Sequence, residues 1–204
     1  MKLTITTQVS VDGVMQGNGP SEQDRKEGFE RDGWATTGHF GDESGAFVGR
    51  LYQRAEAFLF GRRTYDMFAP YWGAMDPGSG PIADALNTKP KYVASNTLAD
   101  PRWAGTTVLS GDLAAAVGEL KAKPGGELQV HGSGVLARWL LANGLVDELN
   151  LLTVPVVVGQ GTRLFPDSGP DLALDLVESR AFRKGVTLQV YRPNGRPRYG
   201  LAGS

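Results

Sequence analysis

Residues 128–137 read Leu128-Gln129-Val130-His131-Gly132-Ser133-Gly134-Val135-Leu136-Ala137, a short apolar run closed by two glycines that straddle a serine and open an apolar helical pattern. A strand that delivers a glycine lets the backbone come close to a ligand. The helix behind it offers unpaired N–H groups and the positive end of its dipole, a ready place for a phosphate. A second stretch, Leu59-Phe60-Gly61-Arg62-Arg63-Thr64-Tyr65, has the same design. There Thr64 can cap the new helix or present its hydroxyl, and two arginines add positive charge. Two strand-to-helix turns of this kind point to an α/β protein.

The alternation continues on both sides of these turns. Leu3, Ile5 and Val9 mark a strand over 2–9, with further strands at 57–60, 91–94, 106–109, 127–131 and 147–158. Helical patterns begin at Asp42, near Thr64 (stopping before Pro70), at Pro81 and at Leu113 behind the cap Asp112, with a last one over 135–142 ended by Asn143-Gly144. Strands alternating with helices predict a central, mainly parallel sheet flanked by helices on both faces. The final two strands, 173–182 and 186–192, have no helix between them and are expected to form an antiparallel hairpin. Residues 1–192 are read as one domain and 193–204, PNGRPRYGLAGS, as a loose tail. The polar, glycine-rich stretch 16–33 is too long for a tight connection and suits a lid or a disordered segment.

Composition narrows the function classes. A net charge of -1 and a pI near 6.1 leave no basic field for nucleic acid or an anionic membrane. The absence of cysteine excludes disulfides, thiolate metal sites and thiol nucleophiles, and with only His39 and His131 no metal site is expected. The best apolar run, 149–158, is interrupted by Asn150, Thr153 and Pro155, and no signal peptide is read at the N-terminus, so a cytoplasmic protein is expected. Gly132-x-Gly134-x-x-Ala137 matches a Rossmann fingerprint, but the acid expected at the end of the next strand is missing from Val154-Pro155-Val156-Val157-Val158. An ordinary Rossmann domain is excluded.

Gly61-Arg62-Arg63-Thr64-Tyr65-Asp66 after an apolar strand resembles the first cofactor turn of dihydrofolate reductases. Ser10-Val11-Asp12-Gly13, His131-Gly132-Ser133-Gly134 and the segment Val154 to Phe165 resemble the reductase domain of riboflavin-biosynthesis deaminase-reductases, in particular its stand-alone bacterial members, and Trp34, Phe40 and Tyr71-Trp72 fit the same group. The deaminase half is missing, since its zinc motif needs cysteines. The resemblance covers residues 2–192 and implies a dihydrofolate-reductase-like fold, NADPH as cofactor, a riboflavin-pathway-like or pterin-like acceptor, and a homodimer docking through the last hairpin. It also implies roles for residues. Arg62 would face the 2′-phosphate, with Ser95, Asn96 and Thr97 around the same ribose. Gly61, Arg63 and Thr64 from one turn, and Gly132, Ser133, Gly134, Val135 and Leu136 from the other, would meet the pyrophosphate.

The acceptor side is less determined. Trp34, Phe40, Phe47, Tyr65 and Trp72 either wall an aromatic substrate or pack the core. Asp12 is the catalytic candidate, orienting substrate or a proton-carrying water; otherwise it is a turn-forming residue bonded to its own backbone. Dihydrofolate reductases carry a buried carboxylate on the helix before the first cofactor turn. Here Asp42 and Glu43 stand at the helix start, with Phe47, Val48 and Leu51 further in, which argues against folate. The alternative to a reductase is a non-catalytic nucleotide- or aromatic-ligand-binding protein on the same fold. A lone His131 beneath the second turn reads first as a structural donor.

Overall fold

A computed structural model of the chain describes residues 1–36 and 38–200. Eight strands form one sheet: β1 (Lys2–Ser10), β2 (Ala55–Gly61), β3 (Lys91–Ala94), β4 (Thr106–Leu109), β5 (Glu127–His131), β6 (Glu148–Val154), β7 (Leu174–Ala181) and β8 (Thr187–Pro193). Their order is β4-β3-β2-β5-β1-β6-β8-β7. The first six pair in parallel, β8 runs antiparallel to β6, and β7 closes the sheet as the outer arm of a hairpin. The helices are α1 (Glu22–Lys26), α2 (Asp42–Arg54), α3 (Arg62–Trp72), α4 (Pro81–Thr88), α5 (Leu113–Ala122) and α6 (Gly134–Ala142). This is the α/β architecture with a C-terminal antiparallel hairpin expected from the alternation, and the dihydrofolate-reductase-like fold that the resemblance implies. Among the described residues no helix is long and apolar enough to cross a membrane.

Side chains alternate across each strand, so the sheet has two different faces. One is covered by α5 and α6. There Leu3, Ile5, Leu59, Leu128, Val130 and Leu149 form a continuous apolar core with Val117 and Leu140. The other face lies under α2, α3 and α4, and its core is divided. Phe58, Phe60 and Val93 make one cluster with Tyr65 and Trp103. Leu152, Val154, Leu188 and Val190 make another with Phe182. Between them, the central strands β1 and β5 present Thr4, Thr6, Gln129 and His131, all buried.

Three local departures from the sequence expectation have simple causes. Helix α3 continues through Pro70 to Trp72, because a proline in the last turn leaves only one carbonyl without its N–H, and Pro70 is exposed. Strand β6 stops at Val154 rather than 158, since Pro155 has no N–H to continue the ladder. The tail is not loose over its described part. Asn194 and Gly195 pair with Ala173 through the backbone, at 2.8 and 2.9 Å, while Arg196 and the Tyr199 hydroxyl both reach Asp171. Residues 201–204 lie outside the described residues.

Candidate functional site

In a parallel sheet, ligands gather at the carboxyl ends of the strands, where the chain turns into helices. The two glycine turns are neighbours there, because β2 and β5 are adjacent. They are also bonded to each other. The Gly61 N–H donates to Ser133 Oγ at 3.0 Å, and the Ser133 N–H donates to Thr64 Oγ1 at 3.1 Å. Thr64 is 6% exposed, so this lock is held away from water. Ser133 sits in the left-handed region at φ 53°, and Gly132 before it at φ 59°. The N–H groups of these two residues are already engaged, Gly132 with the Thr6 carbonyl at 3.4 Å and Ser133 with Thr64, so the groups left for an anion are those of the helix that follows.

The helices behind the turns are left open. Neither α3 nor α6 has a side-chain cap bond or an acid in its first turn. By contrast, Ser21 caps α1, Asp112 caps α5, and α2 starts with Asp42 and Glu43. The N–H groups of Arg62, Arg63 and Thr64, and of Gly134, Val135 and Leu136, belong to first turns that have no intrahelical acceptor. The two openings therefore face one neighbourhood with the same electrostatic sign.

Side chains around this neighbourhood divide into those available to a ligand and those already engaged. Arg62 bonds Asp66 through Nε at 2.8 and 2.7 Å, and among the described residues its outer guanidinium nitrogens have no partner. Arg63 is committed elsewhere, pairing with Asp24 at 2.7 Å and Glu27 at 2.8 Å on α1, so only its N–H remains for an anion. Ser95, Asn96 and Thr97 follow β3, whose Ala94 is in register with Gly61. Ser95 Oγ accepts from the N–H groups of Thr97 and Leu98, and Asn96 Oδ1 accepts from the Gly111 N–H, which fixes the shape of this third turn beside the first.

Asp12, the catalytic candidate, staples two loops together. Its carboxylate accepts from Ser10 Oγ at 2.6 Å and from the Val158 and Gly159 N–H groups at 3.0 and 2.8 Å. The Ser10 hydroxyl, with help from these amides, lowers its pKa to about 2. The five aromatic candidates do not share a wall. Tyr65 is 4% exposed and its hydroxyl accepts from the Trp103 N–H, while Trp72 packs edge-on against Tyr71 and Phe68; both belong to the core beneath α3. Trp34, Phe40 and Phe47 pack on the other cluster, where Phe47 meets Phe182 at 5.6 Å and Trp34 donates to the Gln16 carbonyl.

What the residue-by-residue reading missed is a polar arrangement below the second turn. Gln129 donates through Nε2 to the Leu51 carbonyl and to Glu127, and its Oε1 stands 2.9 Å from His131 Nε2. The His131 ring stacks on Tyr52 at 3.9 Å, and burial pushes its pKa down to about 3. The imidazole is neutral at ordinary pH. Only strand register could have placed these residues together.

The sequence model of one family, the RibD C-terminal domain, matches residues 1–188. An uncharacterized Bacillus subtilis protein, YyaP, is 31% identical over 142 residues, which are 69% of this chain and 75% of that protein. A crystal structure from Shewanella sp. PV-4 named for riboflavin biosynthesis superposes with a TM-score of 0.74 at 22% identity, covering 95% of this chain and 99% of the other. A pyrimidine reductase-like protein from Corynebacterium diphtheriae superposes with a TM-score of 0.61 at 14% identity, covering 95% and 92%. With nearly its whole length matched, the chain belongs to the RibD C-terminal domain family.

Proposed function

We propose that this reductase-type domain uses NADPH to reduce a small heteroaromatic or carbonyl acceptor. The observation that carries the reading is the hydrogen-bonded pair of turns, which brings two uncapped helix openings to one place. Neutral backbone dipoles that converge on one point suit a diphosphate, whose charge they stabilise without cancelling it. Gly132, at φ 59°, permits the left-handed turn that delivers Ser133 and the start of α6 to this place.

In this reading the N–H groups at the start of α3 and α6 hold the pyrophosphate. The free end of Arg62 meets the 2′-phosphate, with Asn96 and Thr97 beside the ribose. Arg63 acts through its N–H alone. Bound NADPH supplies the hydride; the chain's part is to fix the ring and the acceptor in contact, which hydride transfer needs more than a strong acid. Asp12 keeps the loop after β1 tied to 158–159, and this staple holds one side of the site in shape.

The four tryptophans make cofactor binding visible by fluorescence quenching and energy transfer. NADPH is expected to bind more tightly than NADH, and Arg62→Ala to remove most of that preference. Loss of one charge-assisted phosphate contact corresponds to about tenfold or more in affinity. Equal binding of the two cofactors, or an Arg62→Ala variant that discriminates as well as the parent, would remove the basis for NADPH.

A further inference from the structure

Three asparagines in this chain precede a glycine: Asn18, Asn143 and Asn194. Such a pair is chemically reactive, because the backbone nitrogen of the second residue can attack the asparagine side chain and glycine has no Cβ to stand in the way. In a folded protein the reaction depends on how the two groups are held.

At two of the three positions the fold itself asks for glycine. Gly144 and Gly195 sit in the left-handed region, at φ 65° and 66°. Their asparagines are also tied down. At the end of α6 the Asn143 amide donates to the Trp139 carbonyl at 2.8 Å, and the Gly144 N–H is taken by the Leu141 carbonyl at 3.1 Å. After β8 the Asn194 amide donates to Asp175 at 3.0 Å, and the backbone on both sides of the junction pairs with Ala173 at 2.8 and 2.9 Å. The carboxylate there opposes negative charge forming on the neighbouring amide.

Asn18-Gly19 differs on each point. Gly19 lies outside the left-handed region, and a Cβ built on it would meet nothing within 4 Å. Neither backbone conformation nor packing requires glycine here. The Gly19 N–H donates at 2.7 Å to Oδ1 of Asn18 itself, so the attacking nitrogen already rests against the side-chain amide. Asn18 Nδ2 has no partner among the described residues, and both residues are half-buried, within reach of water.

We propose that Asn18 is a site of spontaneous deamidation selected by the fold. The Gly19 nitrogen gives its proton to solvent base and bonds to Asn18 Cγ. The Cγ–Nδ2 bond breaks, ammonia leaves with the proton, and a cyclic imide closes. Water then opens the imide at one of its carbonyls. Opening at Cγ leaves an aspartyl residue, and opening at the main-chain carbonyl leaves an isoaspartyl residue with an extra carbon in the backbone. Either product adds one negative charge.

The site lies in the neck of the segment 16–36. There the Gly33 N–H donates to the Gly17 carbonyl at 2.7 Å, the Ala35 N–H to the Asn18 carbonyl at 3.0 Å and Trp34 Nε1 to the Gln16 carbonyl at 2.8 Å. The isoaspartyl link takes the Asn18 carbonyl out of the main chain and breaks the step between 16–18 and 33–35. Beyond this neck lies α1, whose Asp24 and Glu27 hold Arg63 at the opening of α3. The modification therefore ages the segment that borders the anion site, and it stands independently of the NADPH reading.

The native protein is incubated in mildly alkaline buffer, and its peptides are resolved by mass spectrometry into amide, aspartyl and isoaspartyl forms. Asn18 is expected to convert at least about tenfold faster than Asn143 and Asn194, since small misplacements of reacting groups cost factors of this size. In guanidinium chloride, where no fold holds the groups, the three rates should come within about threefold of one another. Gly19→Ala, for which the structure has room, should slow conversion at position 18 by at least about tenfold and leave the other two rates unchanged. An Asn18 amide that stays intact, a conversion at Asn143 or Asn194 that keeps pace with it, or the same order of rates in native and denatured protein overturns the proposal. So does a Gly19→Ala protein that converts like the parent. The comparison with guanidinium chloride needs no variant and decides the matter if Gly19→Ala does not fold.

Discussion

Thr64→Val tests whether the two turns act as one unit. The substitution keeps the shape of a side chain that is 6% exposed and removes only the oxygen that receives the Ser133 N–H at 3.1 Å. A donor left unpaired in such a place costs about 1–3 kcal/mol. For a domain of this size each kcal/mol moves the melting temperature by roughly 2–4 °C, so a fall of at least about 2 °C is expected. Ser133→Ala removes the acceptor of the Gly61 N–H and should cost a similar amount. Because both bonds close the same pair of turns, the double variant should lose less than the sum of the two by at least about 0.5 kcal/mol. Urea unfolding followed by tryptophan fluorescence measures all four proteins, and the denaturant slope should not change. A second reading comes from the ligand. NADPH at a hundredfold excess over its dissociation constant adds about 2.7 kcal/mol to the stability of a binding protein. That increment should shrink in each variant, since both turns shape the anion site. Strict additivity, with a full ligand increment in the double variant, would falsify the claim that the turns form one cradle.

The other predictions concern charge. His131 is held neutral, with its pKa lowered by burial from 6.5 to about 3, so the unfolded chain binds a proton first; stability is complete above about pH 6.5 and declines as pH falls toward 3. His131→Phe should flatten that limb in a pH series of urea unfolding, and an unchanged slope would contradict it. Lys91, 1% exposed and bonded to the Leu86 and Lys89 carbonyls, has its pKa lowered by burial from 10.5 to about 8. Its contribution therefore grows as pH rises from about 8 toward 10.5, and Lys91→Met should remove the rise from the same measurement. Arg63→Ala should cost roughly 1–2 kcal/mol by leaving the buried Asp24 without its cation, a figure below that for a fully buried pair because Arg63 is half exposed. Its effect on NADPH affinity should be smaller than that of Arg62→Ala; the reverse order would return the Arg63 side chain to the phosphate site.

Where local chemistry decides structure, the sequence was readable. Asp112 in front of an apolar pattern and Pro124-Gly125-Gly126 behind it bracket α5, and the same glycines open β5. The glycine turns were visible because a strand ending in glycine before a helix is a local event. Helix α1 was not visible, since its five residues depend on the Ser21 cap and on Arg63, which is 39 positions away from Asp24. The aromatic candidates were chosen by residue type. Their roles follow from helix face, and Tyr65 on α3 turns into the core whereas the arginines beside it do not. The buried polar residues of the central strands are the clearest case. Thr6, His131 and Asn150 become neighbours only when β1, β5 and β6 pair in one particular register. A slip by one residue would have turned every one of them to the opposite face.

The open helix ends carry an energetic argument of their own. A serine or aspartate cap contributes about 1 kcal/mol to a helix, and this chain uses that device at α1 and α5. At α6 a serine does occupy the cap position, yet its hydroxyl is directed away to the Gly61 N–H and the His131 carbonyl, and its backbone is held at φ 53°. A capping residue is therefore present but diverted from its own helix. At α3 the cap position is Gly61, which has no side chain to offer. Of the four helices without a side-chain cap bond, only α3 and α6 also lack an acid in the first turn, and the diverted serine binds these two starts together. Departures from local rules that coincide in space mark the place where a protein serves a ligand instead of its own stability. Here they coincide at the carboxyl ends of β2 and β5, which are adjacent in the sheet.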